Sequence, residues 1–169
     1  MPVLYPCEKV DKSFVDTAPH RFTNSVDLRV TPQQVYEVLA EAEPWPRWAT
    51  VITDVTWTSP HPRGVGATRT VTMRAGMTAA EEFLAWDPGR HMAFRFNACS
   101  TRGIHAFAES YDIVPTDTGC RLTWTLAMSG DRATQVSITL VGPLMNLTFR
   151  YFLRKLRKLT DQRFATAPH

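Results

Sequence analysis

The chain has 169 residues, of which 44% are hydrophobic and 21% charged, and its formal net charge is +3 at pH 7. This length and composition predict one globular domain with an ordinary apolar core, and they exclude a disordered, collagen-like or disulfide-scaffold protein. The cysteines Cys7, Cys99 and Cys120 have no metal-type spacing, which favours reduced thiols in a cytoplasmic protein.

The chain begins with an irregular segment and then becomes periodic. Residues 1–20 carry mixed charge and no clear hydrophobic period, so we expect an N-terminal extension that packs loosely or along an edge. Residues 22–30 alternate between the two faces expected of a half-buried strand. Thr31 and Gln34 then have the spacing of a capping box, which predicts a short helix that must end before Pro44.

Six further stretches are typical of antiparallel strands joined by short turns. They are residues 51–59, 67–74, 78–86, 91–99, 104–114 and 120–128. The turn Asp87-Pro88-Gly89 has a physical basis, since proline presets φ and glycine accepts a positive φ. A meander of this kind normally has one covered face and one face in water, so the sequence predicts a sheet that needs a cover.

The C-terminal segment can supply that cover. From Gly142 onward the apolar residues recur at helical spacing, which predicts an amphipathic helix of about five turns. Its apolar face is Met145, Phe149, Phe152, Leu156 and Leu159. Residues 132–141 are either a separate preceding element or a strand. Polar residues interrupt the longest apolar stretch, residues 136–152, and the N-terminus has no secretory pattern, so we expect no stable membrane insertion.

Four motifs follow one another in a characteristic order. They are residues 35–39 with Pro44-Trp45-Pro46-Arg47-Trp48, residues 82–95, residues 119–124 and residues 142–159. In this order the chain resembles the START-like, or SRPBCC, superfamily, and within it the polyketide cyclase/dehydrase and lipid-transport family. The resemblance covers about residues 21–163, so we expect one START-like domain over residues 21–165, preceded by the extension of residues 1–20.

The resemblance implies an α+β helix-grip fold, in which a curved antiparallel sheet of about seven strands wraps around the long C-terminal helix and encloses a cavity. It also implies that the cavity binds a hydrophobic small molecule, such as a lipid or a polyketide-like compound. The alternative is a polyketide aromatase/cyclase or dehydratase. We favour binding, because no residue cluster in the sequence demands chemistry.

Strand register predicts which side chains face the cavity. Pairing across the turn at residues 115–119 places the residues opposite Leu122–Met128 on the same face as that apolar set. Inward-facing Phe94 similarly places Phe83 beside it, with Glu82 and Arg95 paired on the outer face. The predicted ligand-binding residues are Glu81, Phe83, Phe94, Phe96, His105, Phe107, Glu109, Tyr111, Trp124, Leu126, Met128, Met145, Phe149 and Phe152.

Three of these residues are candidates for acid–base chemistry: Glu109, His105 and Tyr111. A carboxylate in an apolar cavity must be hydrogen-bonded, neutralised or hydrated, which is how a binding or acid–base site is built. The alternative is that these groups are solvated near the cavity mouth or form a structural Glu–His pair. Trp45 and Trp48 are interpreted either as core residues or as a lid over the cavity.

The positive charge is concentrated in one segment. Residues 150–163 carry six basic residues against Asp161, a net of +5, so the rest of the chain is 3 − 5 = −2. A single basic helix face is more typical of a solvated surface than of nucleic-acid binding, although transient contact with an anionic membrane or an acidic carrier protein stays open. The five histidines are isolated in sequence, so we expect neither a metal nor a cofactor.

Overall fold

The computed structural model describes residues 2–165, which form eight strands, four α-helices and one 3₁₀ turn at Arg74–Gly76. In chain order these are β1 (Tyr5–Pro6), α1 (Phe14–Thr17), β2 (His20–Leu28), α2 (Pro32–Ala40), α3 (Trp45–Trp48), β3 (Ile52–Trp57), β4 (Thr68–Met73), β5 (Thr78–Asp87), β6 (His91–Cys99), β7 (Ile104–Thr116), β8 (Gly119–Gly130) and α4 (Arg132–Arg163). Each predicted strand is present, and the α+β architecture predicted from the sequence is confirmed.

The sheet has the strand order β2-β8-β7-β6-β5-β4-β3, and every neighbouring pair is antiparallel. Register shifts interrupt the pairing of β3 with β4, of β5 with β6 and of β7 with β8. Such bulges bend strands and increase their twist. They allow the sheet to curl around the helices, with the cavity on the inner side.

Two predicted registers are confirmed. Phe83 lies opposite Phe94, and the outward-facing Glu82 accepts a hydrogen bond from Arg95 at 3.1 Å between Nη2 and Oε2. In the last hairpin, Tyr111 lies opposite Trp124. The alternation of apolar and polar side chains is enough to determine these registers, because a slip of one residue would turn the whole apolar set toward water.

The short helix α2 begins as its sequence predicts. The side chain of Thr31 accepts a hydrogen bond from the backbone N–H of Gln34, and the Gln34 side chain accepts one from the Thr31 N–H. This reciprocal capping box satisfies two donors that a helix start otherwise leaves free. Trp45 and Trp48, in the following helix α3, are both buried, so they are core residues.

The interpretation of residues 132–141 as a separate element or a strand is wrong, because α4 is one helix of 32 residues that includes Pro143. The residue before the helix, Asp131, is its N-cap, and the Asp131 side chain accepts a hydrogen bond from the Thr134 N–H. The β-branched residues that suggested a strand are less favourable in a helix than alanine by only about 0.7 kcal/mol or less per residue. Capping and the burial of Ile138 therefore decide the outcome.

The N-terminal extension is more than a loose leader. It fills the gap where β6 and β7 separate: Tyr5 pairs with Cys99, the Cys7 N–H donates to the Asn97 carbonyl, and the Glu8 N–H donates to the His105 carbonyl. These bonds satisfy backbone groups that the separation would otherwise leave unpaired. The extension is thus part of the sheet.

Removing residues 2–12 should lower the free energy of unfolding by about 2–4 kcal/mol, since each lost backbone hydrogen bond contributes about 1 kcal/mol and Cys7 leaves a buried site. Urea unfolding followed by tryptophan fluorescence measures this change. The matched control is Val3→Ser, at an exposed side chain of the same segment. A truncated protein with an unchanged unfolding midpoint would contradict the structural role of the extension.

Candidate ligand-binding cavity

A cavity of about 240 Å³ lies between the sheet and the helices α3 and α4. This volume is slightly below the range of about 300–1,000 Å³ that is usual for small-molecule sites. Methionines line the cavity at several points, and their flexible side chains can adapt to a ligand. The residues that line it are Trp45, Ala49, Val51, Ile52, Arg69, Met73, Met77, Glu81, Phe94, Phe96, Ile104, Phe107, Glu109, Tyr111, Trp124, Leu126, Met128, Met145, Phe149 and Phe152.

All of the residues predicted from the sequence lie on the cavity wall except Phe83 and His105. Phe83 is buried, but it stacks on Trp57 with ring centroids 5.4 Å apart and supports the wall from behind. His105 is exposed, because the bulge between Ile104 and Ala106 breaks the alternation that would have turned its side chain inward. The prediction that His105 lines the cavity is therefore wrong, and a Glu109–His105 pair is excluded.

Sequence reasoning missed one buried charged residue of the cavity wall, Arg69. It lies on β4 directly opposite Glu81 on β5, and its Nε donates to Glu81 Oε2 at 2.6 Å. Both side chains are almost fully buried, with 1% and 4% of their surface exposed. Two features of the sequence could have predicted this pair. A buried Glu81 requires a counter-charge, and Arg69 alternates with Val71 and Met73 along one face of the strand.

The guanidinium of Arg69 lies over several aromatic rings. Its Cζ is 4.5 Å from the ring centroid of Trp45, 4.7 Å from that of Phe94 and 4.9 Å from that of Phe83. The faces of these rings attract a cation and hold the guanidinium in place. Arg69 Nη1 is buried and has no hydrogen-bond partner among residues 2–165. One donor of this charged group is thus left unsatisfied by the described residues.

Glu109 is the second polar group of the cavity wall. Its Oε2 accepts a hydrogen bond from the Tyr111 hydroxyl at 2.6 Å and another from the Trp124 indole N–H at 2.9 Å. These three residues come together because Glu109 and Tyr111 alternate on β7 and Trp124 lies opposite Tyr111 on β8. The network fixes the orientation of the carboxyl group.

Burial raises the pKa of Glu109 to about 8, and the nearby Glu81 adds to this shift, while the Tyr111 hydroxyl opposes it. Glu109 is therefore protonated at neutral pH. Because Oε2 already accepts two hydrogen bonds, the proton belongs on Oε1. Burial also raises the pKa of Tyr111 well above its ordinary value, so its hydroxyl stays a donor.

Burial raises the pKa of Glu81 as well, and the guanidinium of Arg69 opposes that shift. An arginine keeps its charge at all accessible pH values, and burying it without a counter-ion is very costly. Glu81 is accordingly the carboxylate that balances Arg69. The cavity at neutral pH thus holds one internally balanced ion pair, the neutral acid Glu109 and an otherwise apolar wall.

No group of three or more His, Cys, Asp or Glu side chains that could hold a metal ion occurs within residues 2–165. The buried cysteines Cys7, Cys99 and Cys120 are free thiols. Burial raises the pKa of Cys7 to about 12 and that of Cys120 to about 11, so neither is a thiolate at neutral pH. The polar chemistry of the cavity therefore depends on Arg69 and Glu109.

Residues 19–161 match the model of the family described as polyketide cyclase/dehydrase and lipid transport, and the chain belongs to this family. Uncharacterized proteins from Mycobacterium bovis and Mycobacterium tuberculosis are 55% identical to it over 164 residues, covering 97% of this chain and 98% of each relative. Family membership and fold together fit a protein that binds hydrophobic ligands.

Two solved structures confirm the START-like helix-grip fold. A protein from Thermus thermophilus has a TM-score of 0.72 at 14% identity, covering 86% of this chain and 100% of that chain. A START superfamily protein from Mycobacterium smegmatis has a TM-score of 0.71 at 11% identity, covering 85% of this chain and 99% of that chain. At these identities the likeness concerns the fold alone.

Proposed function

We propose that the protein binds a small, largely apolar molecule that carries a carbonyl or carboxyl oxygen, with that oxygen at Arg69 and Glu109. The observation that carries this proposal is that Arg69, a residue of the cavity wall, has a buried Nη1 with no hydrogen-bond partner among the described residues. An unsatisfied charged donor is costly in an apolar site, and a ligand oxygen removes that cost.

The remaining wall supports the same ligand class. It is formed mainly by aromatic, methionine and aliphatic side chains, which favour a hydrocarbon chain or a ring system. The protonated Glu109 adds a second donor without adding charge. A lipid-like acid and an aromatic polyketide-like ketone share this chemistry, an apolar body with one or two acceptor oxygens.

A ligand series tests the proposal through quenching of tryptophan fluorescence and calorimetry. The probes are 2-naphthoic acid, its methyl ester, naphthalene and octanoic acid. We expect the oxygenated naphthalenes to bind about tenfold or more tightly than naphthalene, since a hydrogen bond to a charged group contributes about 1.5–3 kcal/mol. Octanoic acid tests whether a flexible chain is accepted as well as a ring, and native mass spectrometry of the purified protein identifies any ligand carried from the cell.

A pair of neighbouring variants provides the control. Met145→Trp fills the cavity from α4, whereas Leu144→Trp places the same side chain on the exposed side of that helix. Binding should be lost in the first variant and retained in the second. Equal affinity for naphthalene and its acid would contradict the role of Arg69, and no binding of any apolar probe would contradict the proposed function.

A second candidate function is acid–base catalysis on a polyketide-like substrate. The geometry of Glu109 favours it: the carboxyl group lies in the cavity wall and is oriented by Tyr111 and Trp124. Burial also raises its pKa to about 8, close to the value at which a general acid works best at neutral pH. Glu109, held by Tyr111, would be the acid, and the exposed His105 takes no part. Loss of turnover with retained binding in a Glu109→Gln variant would distinguish this function from binding alone.

A further inference from the structure

The outer face of α4 is unusually apolar for an exposed surface. Five of its side chains are between 51% and 76% exposed and recur at spacings of four, four, three and four residues, so they form one stripe. In the apolar 18-residue window of this helix, only 22% of the residues are buried. We call these side chains the outer stripe: Val136, Leu140, Leu144, Leu147 and Tyr151.

Basic residues follow the outer stripe on the same face of α4. Arg154 and Lys158 follow Tyr151 at spacings of three and four residues, so they extend the same face of the helix. Neither side chain, nor that of Lys155, forms an ion pair with any residue that the structure describes, whereas Arg163 pairs with Glu37 on α2 and with Glu41, which directly follows α2. The free cations thus lie at the end of the apolar stripe.

We propose that the outer stripe docks on the surface of an anionic lipid bilayer, with Arg154, Lys155 and Lys158 against the headgroups. A helix with exposed large apolar side chains and unpaired basic residues on its accessible face has the two features that hold interfacial helices on anionic membranes. The other face of α4 packs on the protein through residues such as Phe152 and Leu156. The helix therefore lies on the membrane surface and does not cross it.

A second copy of the chain fits the outer stripe less well. In a parallel pair of α4 helices the two basic ends would lie side by side and repel each other. In an antiparallel pair the basic end would lie along Val136 and Leu140, next to Asp131 and Arg132, whose opposite charges offset each other. Charge complementarity thus favours an anionic surface.

Docking would have a geometric consequence for the cavity. Met145, Phe149 and Phe152 line the cavity from the same turns of α4 whose opposite side carries Leu144, Leu147 and Tyr151. One helix thus separates the docking surface from the cavity. The inference does not depend on the proposed ligand, because it follows from the exposed residues alone.

Sedimentation of the full chain with vesicles of phosphatidylcholine, with and without phosphatidylglycerol, tests the proposal. Binding to the anionic vesicles is expected, and it should weaken as salt is added. Leu140→Gln/Leu147→Gln and Arg154→Gln/Lys158→Gln should each reduce binding about tenfold or more, through lost apolar burial and lost charge respectively. The matched controls, Val65→Gln/Val114→Gln and Lys12→Gln/Arg29→Gln, alter exposed residues elsewhere and should bind as the parent does.

Circular dichroism verifies that each variant is folded, and none of the four altered α4 residues lines the cavity. The proposal is overturned if anionic vesicles are not bound, if neutral vesicles are bound equally well, or if both α4 variants bind as the parent does. A dimer in analytical ultracentrifugation that Leu140→Gln/Leu147→Gln dissociates would also overturn it, because a second copy would then cover the stripe.

Discussion

Replacing Arg69 with methionine is expected to destabilise the protein by about 3–5 kcal/mol, the usual cost of removing one partner of a buried ion pair. The variant leaves Glu81 without its counter-charge in a site where only 4% of the side-chain surface is exposed. It also removes the cation that lies over Trp45, Phe83 and Phe94. Chemical unfolding at pH 7 measures the loss.

The double variant Arg69→Met/Glu81→Leu distinguishes stability from recognition. Replacing a whole buried ion pair with apolar residues of similar size is often neutral or stabilising, so the double variant should recover most of the stability that the single variant loses. It should still fail to prefer 2-naphthoic acid over naphthalene, because the charged donor is gone. Recovery of that preference in the double variant would contradict the assignment of Arg69 as the group that binds the ligand oxygen.

Glu109→Gln is expected to change how stability depends on pH. In the folded protein Glu109 has a pKa of about 8, above its ordinary value of 4.5, so between these values the folded state binds a proton that the unfolded state has released. This contribution is fully present below about pH 4.5 and is lost as the pH rises toward 8, by about 1.4 kcal/mol for each pH unit in that window.

Glutamine reproduces the protonated carboxyl group, since its oxygen can accept from Tyr111 and Trp124 while its amide donates toward the cavity. The variant should match the parent near pH 5 and be more stable by several kcal/mol at pH 9. Unfolding curves across this range measure the difference. Tyr111→Phe is the complementary variant, because it removes a hydrogen bond that lowers the pKa of Glu109. In this variant the loss of stability with rising pH should therefore continue to a higher pH than in the parent.

The same titration should affect the ligand. Above pH 8 the ionised Glu109 repels an acceptor oxygen, so binding of 2-naphthoic acid should weaken in the parent and stay constant in Glu109→Gln. Identical pH profiles of stability and binding in parent and variant would contradict the view that Glu109 is buried and protonated at neutral pH.

The cavity wall shows how far pattern reasoning reaches. Glu109, Tyr111 and Trp124 could be assigned to one face because a strand alternates strictly and a hairpin turn determines which residues lie opposite each other. Met145 and Phe149 followed from helical spacing in the same way. These are local rules, and they hold wherever the backbone is regular.

The errors occurred where the backbone is irregular or where the decisive contact is distant in sequence. His105 lies at a bulge, and no sequence pattern predicted this bulge or the exposure of the His105 side chain. Arg69 and Glu81 face each other across a hairpin, but their burial depends on Trp45 and Phe94, which come from distant parts of the chain. The extension of residues 2–20 gained its role only from the separation of β6 and β7.

The positive charge illustrates the same division. From the sequence alone it was evident that the net charge of +3 is concentrated in the last helix and that the chain is an α+β, START-like domain with an apolar inner face. Only the tertiary structure decided which basic residues are paired, as Arg163 is, and which have no ion-pair partner among residues 2–165 and lie beside an exposed apolar stripe. The physical reason is the sequence separation over which each property is determined. Periodicity is local and shows which face of an element is apolar. Burial, ion pairing and pKa depend on neighbours that folding brings together from distant parts of the chain.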